Sequence, residues 1–208
     1  MSQNTRPVCR KCRREGAKLF LKGDKCFLPK CPFTRRSYQP GNQGAVFKKY
    51  SDYGLQLREK QKAKRIYGVS ERQFKKYFLE ASREQGKRGE VLLQLLERRL
   101  DNLIYRAGLA DSRREARLLV SHNHFLVNDK KVNIPSYLVK PKDKISLKEK
   151  SRNLSLFKNK IKKINKQKTP PWLKFDVKNF VINVLTLPRR EEIDTDVNEQ
   201  LIIEFYSR

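Results

Sequence analysis

Apolar and polar positions along this chain keep a helical period from Leu55 to about residue 121, give short strand-like runs between Phe125 and Lys148, and then mix the two patterns. The first helical stretch, Leu55–Tyr67, is rich in lysine and arginine, and Gly68 ends it. Ser70, with Gln73 three residues on, makes a capping box. The helix behind it sets Phe74, Phe78 and Ala81 on one face, and Gly86 to Gly89 forms a loop. The longest predicted element is Glu90–Ala107. Leu92, Leu96, Leu100, Leu103 and Ala107 form its apolar row, Glu97, Arg98 and Asp101 fall outside that row, and Gly108 stops it. A second capping box, Ser112 with Glu115, opens a helix that buries Ala116, Leu119 and Val120.

The strand signals come next. Phe125–Val127, a turn at Asn128-Asp129 and Val132–Ile134 predict a hairpin, and Ile145–Lys148 alternates cleanly. Residues 154–168 return to a helix with Leu154, Phe157, Ile161 and Ile164 on one side. Pro170-Pro171 breaks it before two strand-like runs, Leu173–Val177 and Phe180–Leu187. Residues 197–206 fit helix or strand, and helix is favoured. The Pro/Gly-rich stretch 32–44 reads as an extended linker.

Charge changes the picture from shape to partner. The 208 residues carry 49 Lys/Arg against 22 Asp/Glu, a net charge of +27. That is far above the ~2–8 sufficient for solubility, and a compact state so charged is stabilised by a polyanion. Residues 1–50 hold 13 basic and 2 acidic side chains, and 148–168 hold 9 basic and 1 acidic. The last 18 residues invert the sign with Glu191, Glu192, Asp194, Asp196, Glu199 and Glu204. That end is expected to face protein, with Val197, Leu201, Ile202 and Phe205 anchoring it. No apolar run approaches the ~18–20 residues of a membrane span, and Met1–Pro7 lacks a signal peptide's apolar core.

Cys9-x2-Cys12 and Cys26-x4-Cys31 lie within 23 residues, spaced like the ligands of a structural zinc ion. Four thiolates would close a tetrahedron and leave no position for catalysis. Arg10, Lys11, Arg13, Arg14, Lys25 and Lys30 would offset their charge. An iron–sulfur cluster and a pair of disulfides are the alternatives, the latter needing an oxidising compartment.

Two segments carry a family likeness. One is Leu55–Val69, continuing to Glu71-Arg72-Gln73-Phe74. The other is Arg99–Gly108 with Ser112-Arg113, Ala116-Arg117, Leu119-Val120, His122, Val127-Asn128 and Val132–Tyr137. Together with Asn198–Arg208 they resemble the bacterial small-subunit ribosomal protein S4 family, and the four cysteines resemble its zinc-bearing branch. The resemblance implies an α+β chain in three parts. A zinc-binding basic segment spans 1–44. A helical RNA-binding domain spans 45–98, completed by about 190–208. A small inserted α/β RNA-binding module spans 99–189. It further implies early binding to small-subunit ribosomal RNA that nucleates subunit assembly, contact with the fifth small-subunit protein, an influence on decoding accuracy, and a place beside the channel that messenger RNA enters. Bacterial cytoplasm follows as the location, with no membrane and no homo-oligomer. The family usually has glycine where Asn123 and Asp129 stand, so both turns are expected to take positive φ with residues that tolerate it.

The candidate RNA-binding residues follow three segments. Arg10, Lys11, Arg13, Arg14, Arg35, Arg36, Lys48 and Lys49 lie in the N-terminal part. Tyr53, Arg58, Lys60, Lys62, Lys64, Arg65 and Arg72 lie on or beside the basic helix. Ser112, Arg113, Arg114, Arg117 and His122 lie in the module. A helix start presents unbonded N–H groups to phosphate, and arginine adds a planar fork for phosphate or stacking. Phe33, Tyr38, Phe47, Tyr50 and Tyr53 interleave with basic residues as base-stacking surfaces do. His122 and His124 have no cysteine or carboxylate cluster beside them and suit RNA contact or loop packing better than metal.

Catalysis finds little support. Arg99-Leu100-Asp101 is similar to the catalytic tripeptide of pseudouridine synthases, but Leu100 belongs to an apolar helix face and there is no room for a synthase domain. Phosphate-cradling glycine loops, a nucleophile elbow and a His-Glu zinc-protease motif are all missing. A regulatory zinc protein that binds messenger RNA or DNA is the other reading.

Overall fold

A computed structural model of the chain describes residues 7–41, 49–164, 169–177 and 179–207, with the side chains of 161–164 outside that description. Its helices in chain order are α1 (Cys9–Glu15), α2 (Pro32–Arg35), α3 (Asp52–Tyr67), α4 (Glu71–Ala81), α5 (Arg88–Glu97), α6 (Leu100–Arg106), α7 (Arg113–Ser121), α8 (Glu149–Arg152), α9 (Ser155–Ile164) and α10 (Glu199–Tyr206). The strands are β1 (Phe125–Val127), β2 (Lys130–Lys131), β3 (Lys144–Leu147), β4 (Leu173–Asp176) and β5 (Val181–Val184). Contacts divide the chain into two compact units, with the divisions after Phe74 and after Asp196, so that Val197 onward joins the N-terminal residues.

In the first unit, α3 begins where Ser51 Oγ accepts from the Gly54 N–H at 3.3 Å. It ends at Gly68, whose φ of 63° closes the last turn. Ala63, Ile66 and Tyr67 are its buried face. Of residues 197–206, Glu199–Tyr206 form a helix: Asn198 caps α10 by accepting from the N–H groups of Gln200 and Leu201, and Ile202 is fully buried. Polar links reinforce α10 against α3, with Gln56 Nε2 donating to Glu204 Oε2 at 3.0 Å and the Asn198 N–H to Glu59 Oε1 at 2.9 Å. Ser70 Oγ accepts from the Gln73 N–H at 3.3 Å, the capping half expected of α4.

The second unit holds a five-stranded antiparallel sheet of order β2-β1-β3-β5-β4. Leu100, Leu103, Ile104, Phe125, Ile145, Phe157 and Trp172 are fully buried in its core. The expected single helix over 90–107 is broken into α5 and α6, with Arg99 extended between them at φ −65°, ψ 137°. Residues 135–139 cause the break. The Leu100 and Asp101 N–H groups donate to Tyr137 O (2.9 Å) and Pro135 O (3.1 Å), and the Val139 N–H donates to Arg98 O (2.9 Å). These non-local bonds replace those a continuous helix would make. Glu97 and Asp101, placed outside the apolar row by periodicity, are buried at 1% and 2% exposure.

The hairpin turn lies where expected, but its second strand is Lys130–Lys131 rather than Val132–Ile134. Asn128 and Asp129 both take positive φ (48° and 62°), as a two-residue type I′ turn requires, which pairs Val127 directly with Lys130. Asn123 adopts φ 61°, so both turns expected to tolerate positive φ do so without glycine. The helix expected over 154–168 is α9 alone as far as 164, preceded by the short α8. Phe157 is buried as expected, whereas Leu154 lies ahead of α9 and stays 44% exposed. The expected positions of Ile161 and Ile164 on the buried side, and residues 165–168, lie outside the described side chains or residues. The strand expected over 180–187 is shorter, because Phe180 turns with φ 57° before β5. No described helix is long and apolar enough to cross a membrane.

Candidate nucleic-acid interface

The start of α7 is built by capping and by buried acceptors behind it. Ser112 Oγ accepts from the Glu115 N–H at 3.3 Å, while the Glu115 carboxylate turns back to the Asp111 N–H at 2.7 Å instead of closing the box. Lys160 of α9 stands 2.7 Å from Glu115 Oε1 and 3.2 Å from Asp111 Oδ2, as ion pairs rather than aligned hydrogen bonds. The acids at this helix start are therefore occupied within the chain.

Two of the three predicted arginines are held from below by α6. Asp101 Oδ2 accepts from Arg117 Nε (3.0 Å) and Nη2 (2.8 Å). The same carboxylate accepts from Arg99 Nε (3.0 Å) and Nη2 (2.8 Å) and from the Asn102 N–H (2.9 Å). Arg99 is buried and also donates to Tyr77 OH at 2.9 Å. Burial works against its charge, and the neighbouring Asp101 outweighs that and raises its pKa. Asn102 uses both ends of its amide. Its Nδ2 donates to Glu97 Oε2 (2.6 Å), and its Oδ1 accepts from Arg113 Nε (2.7 Å). Arg113 also lies over the Tyr105 ring, 4.5 Å from its centroid. Glu97 is paired with Arg106 at 2.8 Å. Arg114 and His122 are exposed, and Ser112, Arg113 and Arg117 are half-buried.

Periodicity missed Glu97, Asp101 and Asn102 as the supports of this face. Five polar residues among the six positions 97–102, on a helix expected to pack on its apolar row, were the signal available. His124 is half-buried, with Nδ1 2.9 Å from Ser151 Oγ; burial, and then the nearby His122 and Lys148, lower its pKa.

On α3 the predicted cations are engaged inside the first unit. Arg58 and Arg65 both pair with Glu15, whose side chain is 1% exposed. Burial raises the Glu15 pKa against the pull of Arg65 and Arg58, and burial lowers that of Arg65. Lys60 is buried, 2.6 Å from Glu71 Oε1 and 4.4 Å from the centre of the Phe205 ring. Lys64 reaches Glu71 Oε2 at 2.7 Å, and Lys62 reaches Glu59 at 3.3 Å. Burial raises the Glu71 pKa, but hydrogen bonds from Lys60 and Lys64 and their charges bring it down to about 2. These residues brace α1, α3, α4 and α10 as well as carrying charge. Arg72 and Tyr53 are exposed, with Tyr53 packed on Phe205 at 5.6 Å.

In the N-terminal part, Arg10, Arg14, Arg35, Arg36 and Lys49 are exposed, Lys11 and Arg13 are half-buried, and Lys48 lies outside the described residues. Arg13 Nε donates to Tyr38 O at 2.9 Å with its guanidinium over the Tyr38 ring, and Arg14 donates to Gln39 Oε1 at 2.6 Å. All four cysteines are free thiols, with Cys12, Cys26 and Cys31 buried and Cys9 half-buried. Burial pushes the Cys12 and Cys26 thiols up, and each feels other cysteines as neighbours. At Cys31 burial is outweighed by hydrogen bonds from the Phe33 and Thr34 backbone, and its pKa falls. The Lys22 N–H donates to Cys26 Sγ at 3.3 Å. This donor chemistry suits a four-thiolate site. Among the described residues, however, no three Cys, His, Asp or Glu side chains converge closely enough to hold an ion.

Comparison with known proteins agrees with the sequence resemblance. A family profile described as "Ribosomal protein S4/S9 N-terminal domain" matches residues 3–97, and one described as "S4 domain" matches residues 98–145. The chain is 57% identical over 209 residues to "Small ribosomal subunit protein uS4" of Heliobacterium modesticaldum. It is 56% identical over 208 residues to the protein of that name from Thermoanaerobacter pseudethanolicus, and 55% over 208 to that from Clostridium tetani. In each case 100% of both chains is covered. With two profiles running from residue 3 to 145 and full-length relatives above half identity, the chain belongs to the uS4 family of small ribosomal subunit proteins.

Proposed function

We propose that this protein is a structural, non-catalytic constituent of the small ribosomal subunit that binds its ribosomal RNA. The observation that carries the reading is the capped start of α7, where Arg113 and Arg117 are oriented by buried side chains and Arg114 is exposed at the helix N-terminus. The basic N-terminal segment is the second binding surface, through Arg10, Arg14, Arg35 and Arg36. The braced cations of α3 hold the fold and add to the electrostatic field. Binding of purified small-subunit ribosomal RNA over a series of salt concentrations tests this. Release of counterions from several phosphates gives a log–log slope of roughly −0.7 to −0.9 per phosphate. A salt-independent affinity overturns it.

Finer assignments belong to the same reading. Early binding nucleates assembly of the subunit, and the segment that carries the exposed Lys49 contacts messenger RNA where it enters. The acidic stretch after Arg190 meets the fifth small-subunit protein, through which decoding accuracy is affected. What supports this last point is sign: Glu191 and Asp196 are exposed anions that phosphate would repel. Cys9, Cys12, Cys26 and Cys31 hold one structural zinc ion. Four cysteines within one 23-residue segment, none in a disulfide and three of them buried, support that assignment. The ion would supply cross-linking of the segment and no chemistry on RNA.

A further inference from the structure

We propose that Phe20 and Phe27 form a stacking platform for an unpaired RNA base, a site separate from the arginine face of α7. The proposal rests on the ribosomal-RNA reading and extends it. Leu19 is buried at 3% exposure, yet the next residue, Phe20, is 38% exposed and holds φ at 49°, a left-handed conformation that L side chains rarely adopt. Phe27 directly follows buried Cys26 and is 71% exposed, the most exposed large apolar side chain of the described residues. The two rings stack on each other with centroids 5.0 Å apart and planes at 29°. The backbone thus holds a strained conformation that keeps two rings in water beside one another, where they add little to any core.

The surroundings select the occupant. Lys18, Lys22, Lys25 and Lys30 are all exposed in the same stretch, and Asp24 is its sole acid. Lysines attract a phosphate backbone, and an exposed aromatic face accepts any base, because every base has a π-face. An apolar patch in a lysine-rich exposed stretch fits a single-stranded or bulged RNA segment better than an apolar protein surface.

The test uses the full chain and purified small-subunit ribosomal RNA. Phe20→Gly removes one ring at a backbone position where glycine is preferred, so the variant keeps its fold. Phe27→Ala removes the other, and protection of the buried thiols of Cys12, Cys26 and Cys31 checks that the segment stays folded. Each variant is expected to lose about five- to twentyfold in affinity, the lower part of the range for one stacked base because one ring of the pair remains. The slope against salt stays unchanged, because no charge is removed. Phe27→Trp retains affinity, and its exposed indole, unlike buried Trp172, is quenched on RNA addition. Wild-type affinity in both deletion variants overturns the proposal, as does a salt slope that falls with affinity. Unchanged RNA binding with impaired incorporation into subunits assigns the rings to a protein neighbour and also overturns it. Failure of the unmodified chain to bind the RNA defeats the broader reading; normal binding by that chain with unaffected variants defeats this inference alone.

Discussion

Replacing Asp101 by asparagine should cost the second unit about 3–5 kcal/mol. The side chain is 2% exposed and its two oxygens accept five hydrogen bonds, four of them from the guanidinium groups of Arg99 and Arg117. Asparagine keeps the shape but has one oxygen, and its NH2 group confronts the donors that faced the other. At least two bonds are lost, and in either orientation one or more comes from an arginine. Bonds to charged groups are worth about 1.5–3 kcal/mol each. Most of the cost comes from the charge left behind. Arg99, with its side chain 4% exposed, becomes a buried cation that keeps its bond to the neutral Tyr77 hydroxyl but loses the anion facing it. Arg117, 31% exposed, can turn to water and contributes less. Urea unfolding followed through buried Trp172, which sits in the same core, reads the loss directly. A loss below about 1 kcal/mol with an unchanged m-value would refute the idea that this carboxylate neutralises a buried cation.

Other outcomes follow from the same geometry. Glu71→Gln removes a carboxylate whose pKa is held near 2, below the ordinary ~4.3, so its stabilisation is present above pH ~4.3 and disappears as pH falls through about 2. Because that side chain is 46% exposed, the wild-type advantage at neutral pH is discounted to about 1 kcal/mol or less, and denaturation at a series of pH values should show it vanishing in acid. Asn123→Gly should leave stability unchanged or raise it slightly, whereas Asn123→Val should cost about 1–2 kcal/mol at φ 61°; thermal melts of the pair check the sign. Elemental analysis of reduced protein should find about one zinc per chain. Cys9→Ser should lose the metal and expose residues 7–41 to protease while Trp172 stays buried. Metal-free protein with an equally protected segment would dismiss the zinc assignment.

Local chemistry made much of this fold readable. Ser70, Ser112, Gly68 and the Asn128-Asp129 turn act within a few residues of themselves, and the structure places them accordingly. What periodicity could not show depends on distant partners. The break at Arg99 exists because residues 135–139 accept and donate the bonds that a straight helix would keep. Lys60 reads as a surface cation until α10 covers it and Glu71 meets it. Glu97, Asp101 and Asn102 look like a solvated helix face in any hydrophobic pattern, since a pattern counts polarity and not pairing. The arginines of the candidate interface were visible as charge, but the buried acceptors that aim two of them were not.

The partnership of α10 with α3 also imposes a timetable on the chain. Residues 197–206 are synthesised after 75–196, so the second unit has every partner of its own available while the first still lacks the helix that covers Lys60 and supplies Ile202. Domains form as units while the chain emerges. The inserted unit is therefore the early folder, and in α3 it is Lys60 that waits for its cover until the last helix arrives. The sequence separation between α3 and α10 makes that closing step the slow, long-range one. During the interval, the most basic helix of the chain is at its least braced, and a polyanion bound there would take the place that Glu204 and its helix later fill.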